Sequence, residues 1–374
     1  MTAPIPLLRV AGSHRDVGRA VGAATAPALR DAVAFDAALP AGRSREAQLA
    51  LAARYRAATL AATPWLVEEI DGAAEGAGVD PLALFAASVE EIWSVRPSQA
   101  GTSEPVPGRC SDLVIGPPFT ADGHLRVAHT NDLGEESEPH VVAIEWRVPG
   151  DPVVFSLGIG PWISVGWNDA GLSLTGNELS PNDERVGVPR LLMVREQITA
   201  PTLDEAVTMA LRADRASSYN TVFAHRDGRV ANVEGSGGDA VVRWIGSGES
   251  LAHTNHYVEP AMLRFEGDPA YARRSAVRYD RACALLAAAT AAGPGTVTPA
   301  VLRAWLSDHA GAPDSICRHP GSPTVGGSGA VAGVGAESRT KTVFWAIADV
   351  TAGDVAYGRG NPCAGHEPAR FVFA

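Results

Sequence analysis

Cys110 opens the run Cys110-Ser111-Asp112-Leu113-Val114-Ile115, directly behind the Pro/Gly-punctuated stretch Pro105-Val106-Pro107-Gly108-Arg109. A thiol at the start of a strand, after an exposed loop, has an option closed to an interior cysteine. If the chain is cut before it, one residue carries both a sulfur and a free α-amino group. That amine ordinarily titrates at about 7.7–8.0, which makes it a general base for its own thiol near neutral pH. Such a nucleophile needs no histidine. The commoner fate of a lone cysteine is a small buried apolar side chain, so the rest of the chain has to decide.

The elements that must position Cys110 change character at that residue. Ser13-His14-Arg15-Asp16 has the form of a capping box, and an Ala/Val/Leu pattern carries a helix on to about Ala38. Further helices are expected over 44–62, over 65–75, and from Asp80-Pro81, an N-cap with proline at the first helical position, to about Val95. The stretch 96–109 is rich in Pro, Gly and Ser and reads as an exposed loop open to cleavage.

From Cys110 the apolar period becomes two. Strands are expected over 110–115, 125–130, 141–148, 153–157, 162–167 and 171–176, and again over 219–225, 229–234, 240–245 and 251–254. The last strands are expected over 341–349, 353–358 and 369–373. Helices are expected from the capping box Thr202-Leu203-Asp204-Glu205 to about Ala213, and at about 271–291 and 299–308. Antiparallel hairpins with helices grouped between them give an α+β layered body rather than alternating βαβ units. Gly327-Ser328-Gly329 has no strand before it and no helix after it, so 321–337 reads as a flexible surface loop and not a phosphate loop.

Composition excludes several classes of function. The 374 residues are 46% hydrophobic and 20% charged, ordinary for a globular protein. A net charge of −11 disfavours nucleic acid or an anionic membrane as partner, since both call for a basic face. No apolar run approaches the ~18–20 residues of a membrane span. The start, Met1-Thr2-Ala3-Pro4-Ile5-Pro6-Leu7, lacks the pattern of a signal peptide, and a cytoplasmic location is the expectation. Cys110, Cys283, Cys317 and Cys363 are too few for a disulfide framework, and without a C-x-x-C pair a structural zinc site is not expected.

Several short motifs follow one another along the chain. Gly108-Arg109-Cys110-Ser111-Asp112-Leu113 precedes Ala128-His129-Thr130-Asn131-Asp132, then Gly166-Trp167-Asn168-Asp169-Ala170-Gly171-Leu172-Ser173 and Thr175-Gly176-Asn177-Glu178-Leu179. Asn232-Val233-Glu234-Gly235-Ser236, His253-Thr254-Asn255-His256-Tyr257, Asp308-His309, Ser315-Ile316-Cys317-Arg318-His319 and Gly360-Asn361-Pro362-Cys363 complete the series. In order and spacing it resembles the acyl-coenzyme A:6-aminopenicillanic acid acyltransferase family, which includes β-alanyl-dopamine and carcinine hydrolases, from about residue 10 to the C-terminus. The cysteine-start and Asn-Asp regions look closer to the hydrolase branch.

The resemblance implies an N-terminal nucleophile hydrolase: a single four-layer αββα domain matured by self-cleavage between Arg109 and Cys110. A helical leader, 1–109, would stay packed as one subunit and the strand-rich body, 110–374, would form the other. Cys110 would attack an amide or thioester carbonyl and carry the acyl group as a thioester. Asp132 matches the family's acid, tuning the amine and thiol, although an Asn-Asp pair more often simply ends a strand. Asn255 matches an oxyanion donor, and Asn177 is a second candidate. Arg318 matches a late arginine expected near the cysteine and Asp132, lowering the thiol pKa. Ser236 and the neighbouring Glu234 are expected to line the substrate pocket, and the loop 178–190 to help shape it. Family members of the penicillin type have glycine directly before the cysteine; here it is Arg109, which bears on the speed of self-cleavage.

The reading that results is a cysteine amidohydrolase of small N-acyl amides with no cofactor. The alternative is an N-acyltransferase on the same acyl-enzyme, with a coenzyme A thioester as co-substrate. Two rivals differ in kind. A metal-dependent hydrolase could use His253 and His256, with His129 and His140 elsewhere, but a three-residue spacing at a strand end does not put both side chains on one face. A non-catalytic relative would show neither cleavage nor a reactive thiol. A homo-oligomer is compatible with everything above.

Overall fold

The structure is a computed structural model that describes residues 3–38, 44–94, 109–320 and 340–373. A short strand, β1 (Leu7–Ala11), leads into helices α1 (His14–Ala24), α2 (Ala26–Ala37), α3 (Arg45–Ala62), α4 (Pro64–Ala77), α5 (Pro81–Ala87) and α6 (Glu91–Ser94). Strands β2 (Arg109–Ile115), β3 (Arg126–Gly134), β4 (Val141–Arg147), β5 (Val154–Ile159), β6 (Trp162–Asn168) and β7 (Leu172–Asn177) follow. After α7 (Arg190–Gln197) and α8 (Leu203–Ala210) come β8 (Asn220–His225), β9 (Val230–Gly235), β10 (Ala240–Ile245) and β11 (Leu251–His253). Helices α9 (Pro269–Ala292) and α10 (Pro299–Leu306) precede β12 (Thr340–Asp349), β13 (Asp354–Arg359) and β14 (Ala369–Val372).

The local signals explain most boundaries. Ser13 accepts from the Asp16 backbone N–H while Asp16 accepts from that of Ser13, the capping box read in the sequence. Thr25 ends α1, and proline in the first turn of α2 starts a new helix where the pattern alone ran straight through. Gly78 closes α4 at φ 67°, a left-handed cap. Helices α1 and α4 touch backbone to backbone: a Cβ on Gly22 would fall 2.0 Å from the Ala73 carbonyl oxygen, and one on Gly72 2.2 Å from that of Arg15.

Two sheets stack face to face. The first has eight strands in the order β1-β4-β5-β6-β7-β8-β9-β10, the second six in the order β11-β2-β3-β12-β13-β14. Phe155, Leu157, Val165 and Val222 of the first interleave with Val114, Val127, Val343 and Val355 of the second. The outer face of the first sheet carries α1, α7 and α8 through Val17, Val21, Ile198 and Leu203. The outer face of the second carries α9 and α10 through Ala282, Leu286, Leu302 and Leu306, which meet Leu113, Ile115 and Ala128. The layers are therefore αββα, with α2–α5 in a satellite cluster that also holds Leu192 and Ala216. No described helix is long and apolar enough to cross a membrane.

Three details differ from the sequence reading. The leader is not purely helical, since β1 pairs in parallel with β4, Leu7 opposite Ala143 through Ala11 opposite Arg147. Its partner lies more than a hundred residues away, so no local pattern announces it. The helix expected over 80–95 is two short pieces, α5 and α6, and α7 was not anticipated. The expected loops at 96–109 and 321–337 lie outside the described residues except for Arg109, which opens β2.

Candidate active site

Strand alternation decides what surrounds Cys110. Along β2, Val114 enters the core between the sheets whereas Leu113 and Ile115 face α9 and α10. The period of two therefore puts Cys110 and Asp112 on the inner side with Val114, and Ser111 on the side of α9. The β2–β3 register sets Cys110 opposite Asn131 and Asp112 opposite His129. His129 Nδ1 and Asp112 Oδ1 are 2.8 Å apart, both side chains fully buried.

A cavity of about 310 Å³ opens beside Cys110 and Asn131. Its walls include Leu133, Trp162, Leu174, Gly176, Val194 and Thr221, so the chamber touches β3 of one sheet and β6–β8 of the other. Glu90, Glu178 and Tyr219 form a polar end. Arg190 bridges that end: its Nε donates to Glu90 at 2.8 Å and its Nη2 to Glu178 at 2.9 Å.

The Cys110 nitrogen and sulfur have separate partners. The backbone N–H donates to Asn255 Oδ1 at 2.7 Å, and Asn131 Nδ2 stands 3.5 Å from the sulfur. Arg278, on α9 and 1% exposed, donates to the Cys110 carbonyl at 2.5 Å, to Ser111 Oγ at 3.1 Å and to Asn255 Oδ1 at 2.9 Å. Two donors converge on that atom of Asn255 and its other end faces the Glu178 carbonyl at 3.0 Å, so the amide can be oriented only one way. Burial, with the charges of Asp132 and Asp112, pushes the thiol well above its ordinary range; Arg278 and the Asp132 backbone N–H pull it down.

Of the anticipated residues, Asn255 is in direct contact with Cys110, and Asp132 acts on the sulfur through its charge and main chain; Asn131, also at the sulfur, was not anticipated. Asp132 Oδ1 accepts from Thr342 Oγ1 at 2.7 Å, and Thr342 Oγ1 accepts from the Arg318 backbone N–H at 3.0 Å. Asn177 follows Gly176 on β7, which packs across β2. Its Oδ1 lies 3.1 Å from Asn220 Nδ2 and 3.0 Å from His253 Nδ1, while its buried Nδ2 has no hydrogen-bond partner.

The other placements refine the sequence reading. The Arg318 guanidinium feels the charge of Asp132, as expected, and is held by Asp314 Oδ1 at 3.0 Å and the Pro313 carbonyl at 3.1 Å; the guanidinium that touches Cys110 is that of Arg278. Asn255 has its donor end turned to Glu178 and its acceptor end to Cys110. Neither Glu234 nor Ser236 lines the cavity. Glu234 receives the Val258 and Glu259 backbone N–H groups and pairs with His253 Nε2 at 2.9 Å, and Ser236 Oγ donates to Asp183 at 2.9 Å, so both fasten loops.

Metal-ligating types converge elsewhere. His253 turns to Asn177 and Glu234 and His256 to Ser275, so the pair does not share a focus. His309, Cys317, His319 and Cys363 do bring their donor atoms together, as do Asp122, His124 and Asp349. In the second group Arg126 already supplies the cation, its Nη2 reaching both Asp122 and Asp349.

Residues 160–344, just under half of the chain, match the family model described as acyl-coenzyme A:6-aminopenicillanic acid acyl-transferase. No curated protein matches the chain. Among solved structures, a mutant of the conjugated bile acid hydrolase from Clostridium perfringens is similar at 12% identity and a TM-score of 0.46, over 71% of this chain and 97% of that one. The Caenorhabditis elegans ortholog of N-acylethanolamine-hydrolyzing acid amidase is similar at 14% identity and TM-score 0.41, over 71% of this chain and 100% of that one. Penicillin V acylase from Agrobacterium tumefaciens is similar at 12% identity and TM-score 0.37, over 70% and 84%.

Proposed function

We propose, from the premise that residues 160–344 belong to the acyl-coenzyme A:6-aminopenicillanic acid acyl-transferase family, that the protein is an N-terminal nucleophile amidohydrolase of small N-acyl amides. It matures by cleavage between Arg109 and Cys110, which leaves a leader and a body associated in one domain. One observation carries the reading: Cys110 presents its sulfur to a cavity while its own nitrogen is gripped by Asn255.

In the intact chain that nitrogen is an amide and cannot act as a base. Cleavage turns it into an amine in the same grip. The sulfur then attacks the substrate carbonyl carbon as its proton passes to the α-amine. Charge develops on the carbonyl oxygen, for which the unpartnered Nδ2 of Asn177 and the amide of Asn131 are the available donors. The α-ammonium returns the proton to the leaving nitrogen, the C–N bond breaks and a thioester remains. Water, deprotonated by the α-amine, attacks the thioester; the C–S bond breaks and the thiol is restored. The walls of Leu133, Trp162, Leu174 and Val194 suit an apolar acyl chain, and the cavity volume restricts it to a small one.

Intact mass of the purified full chain is expected to give two pieces, 1–109 and 110–374, without a disulfide between them. Cys110→Ala is expected to stay whole and to be inactive on a library of N-acyl amides. Wild-type protein that stays whole, is active, and ignores iodoacetamide would overturn the mechanism. The name of the matched family favours a second reading, transfer of the acyl group from a coenzyme A thioester to an amine. Product analysis separates the two, since hydrolysis releases a free acid and transfer gives a new amide.

A further inference from the structure

The connection between α10 and β12 and the turn before β14 place four metal-ligating side chains together, far apart in sequence and away from the cavity. His309, Cys317, His319 and Cys363 each contribute one donor atom, and all four atoms lie within 4.8 Å of one another. The spacings are those of a coordination shell. Cys317 Sγ and Cys363 Sγ are 3.6 Å apart. His319 Nε2 is 3.7 Å from the first sulfur, 3.4 Å from the second and 3.0 Å from His309 Nε2. A tetrahedron with bonds of about 2.3 Å to sulfur and 2.0–2.1 Å to nitrogen has edges of about 3.8 Å between sulfurs, 3.6 Å from sulfur to nitrogen and 3.3 Å between nitrogens.

Two further observations point the same way. Asn361 Nδ2 donates to Cys317 Sγ at 3.3 Å and to the Arg318 carbonyl at 2.6 Å, an outer-shell amide that favours a thiolate and fixes the turn. His309, His319 and Cys363 are exposed, and the two imidazoles meet nitrogen to nitrogen, so that both Nε2 atoms turn to one point together with the two sulfurs.

We propose that His309, Cys317, His319 and Cys363 bind one zinc ion in a closed Cys₂His₂ site that pins the turn carrying Arg318. Binding takes two neutral imidazoles and two thiolates, so the two thiols release two protons to solvent. Four protein ligands leave no open position, which makes the ion structural. None of the four lines the cavity. The absence of a C-x-x-C pair spoke against zinc, but the ligands come from three stretches that only the fold brings together. Arg318 lies between two of them, and its backbone N–H reaches Thr342, which in turn donates to Asp132. The ion would thus steady the far end of a chain of contacts leading to the cysteine's acidic neighbour.

The test uses the full chain purified without chelator. Elemental analysis is expected to give about one zinc per chain. After exchange, cobalt(II) is expected to show intense tetrahedral visible bands with thiolate charge transfer, a signature that needs no variant. Cys363→Ser combined with His309→Ala is expected to lose the metal, and Asn361→Leu to weaken its binding about 10–100-fold. Cys283→Ser is expected to retain it. Reduced protein that takes up neither zinc nor cobalt would overturn the proposal. So would a Cys317–Cys363 disulfide found by peptide mapping of protein expressed with zinc. Metal content is independent of amide cleavage, so this proposal and the enzymatic one fail separately.

Discussion

The backbone nitrogen of Cys110 lies 2.7 Å from Oδ1 of Asn255, an oxygen that also accepts from Arg278. A neutral acceptor there would hold an amide N–H before the proposed cleavage and an amine after it without forcing the amine to stay charged. Asn255→Asp is expected to favour the ammonium form and raise its pKa. The amine must be neutral to take the thiol proton, so the alkaline-rising limb of kcat/KM should move to higher pH. A pH–rate profile checks this; a limb that does not move removes Asn255 from contact with the base.

Arg278 is the cation that draws the Cys110 thiol pKa down against burial and the two carboxylates. Arg278→Met is expected to push the thiol further up and slow its alkylation by iodoacetamide at least about tenfold near neutral pH, since about one pKa unit is a tenfold change in thiolate. It also leaves the Cys110 carbonyl and Ser111 without a buried donor. A destabilisation of about 2–4 kcal/mol should appear in chemical denaturation.

Asn177→Asp keeps the oxygen that faces Asn220 and His253 but removes the unpartnered amide donor. A fall in kcat of about 10²–10³ is expected, with cleavage before Cys110 unaffected. Steady-state kinetics beside an intact-mass measurement checks it. Equal activity in the variant would pass the oxyanion role to Asn131.

Burial, with His253 and Arg278 nearby, lowers the His256 pKa to about 4 from 6.5. The unfolded chain therefore binds more protons than the folded one between those values. This contribution to stability is complete above about pH 6.5 and is lost progressively as pH falls towards 4, on the order of 3 kcal/mol in all. His256→Gln is expected to flatten that part of the acid limb in denaturant titrations at several pH values.

Much of the fold was legible because its signals are local. Alternation located β2, β4, β6 and β12 within a residue or so of their ends, and caps at Ser13, Thr202 and Asp80 marked helix starts. What stayed hidden was pairing at a distance. Arg278 lies on the long helix α9 with nothing in its neighbours to mark it, and becomes significant only because α9 crosses Cys110 and Ser111. Glu234 and Ser236 were expected in the pocket only because the motif that holds them resembles one of the family's. Here backbone N–H groups and Asp183 had prior claim on them.

The parallel pairing of β1 with β4 has a consequence for the protein matured as proposed. A cut before Cys110 would leave two polypeptides that share one ladder of main-chain hydrogen bonds and one apolar interior, since Val10, Val17 and Val21 pack with Val142, Ile144 and Leu203. Separating them would mean dismantling a sheet edge and a helical layer together, so dissociation and denaturation become a single event. The melting temperature of such a heterodimer rises with protein concentration, as mass action requires, whereas that of the uncut Cys110→Ala chain does not.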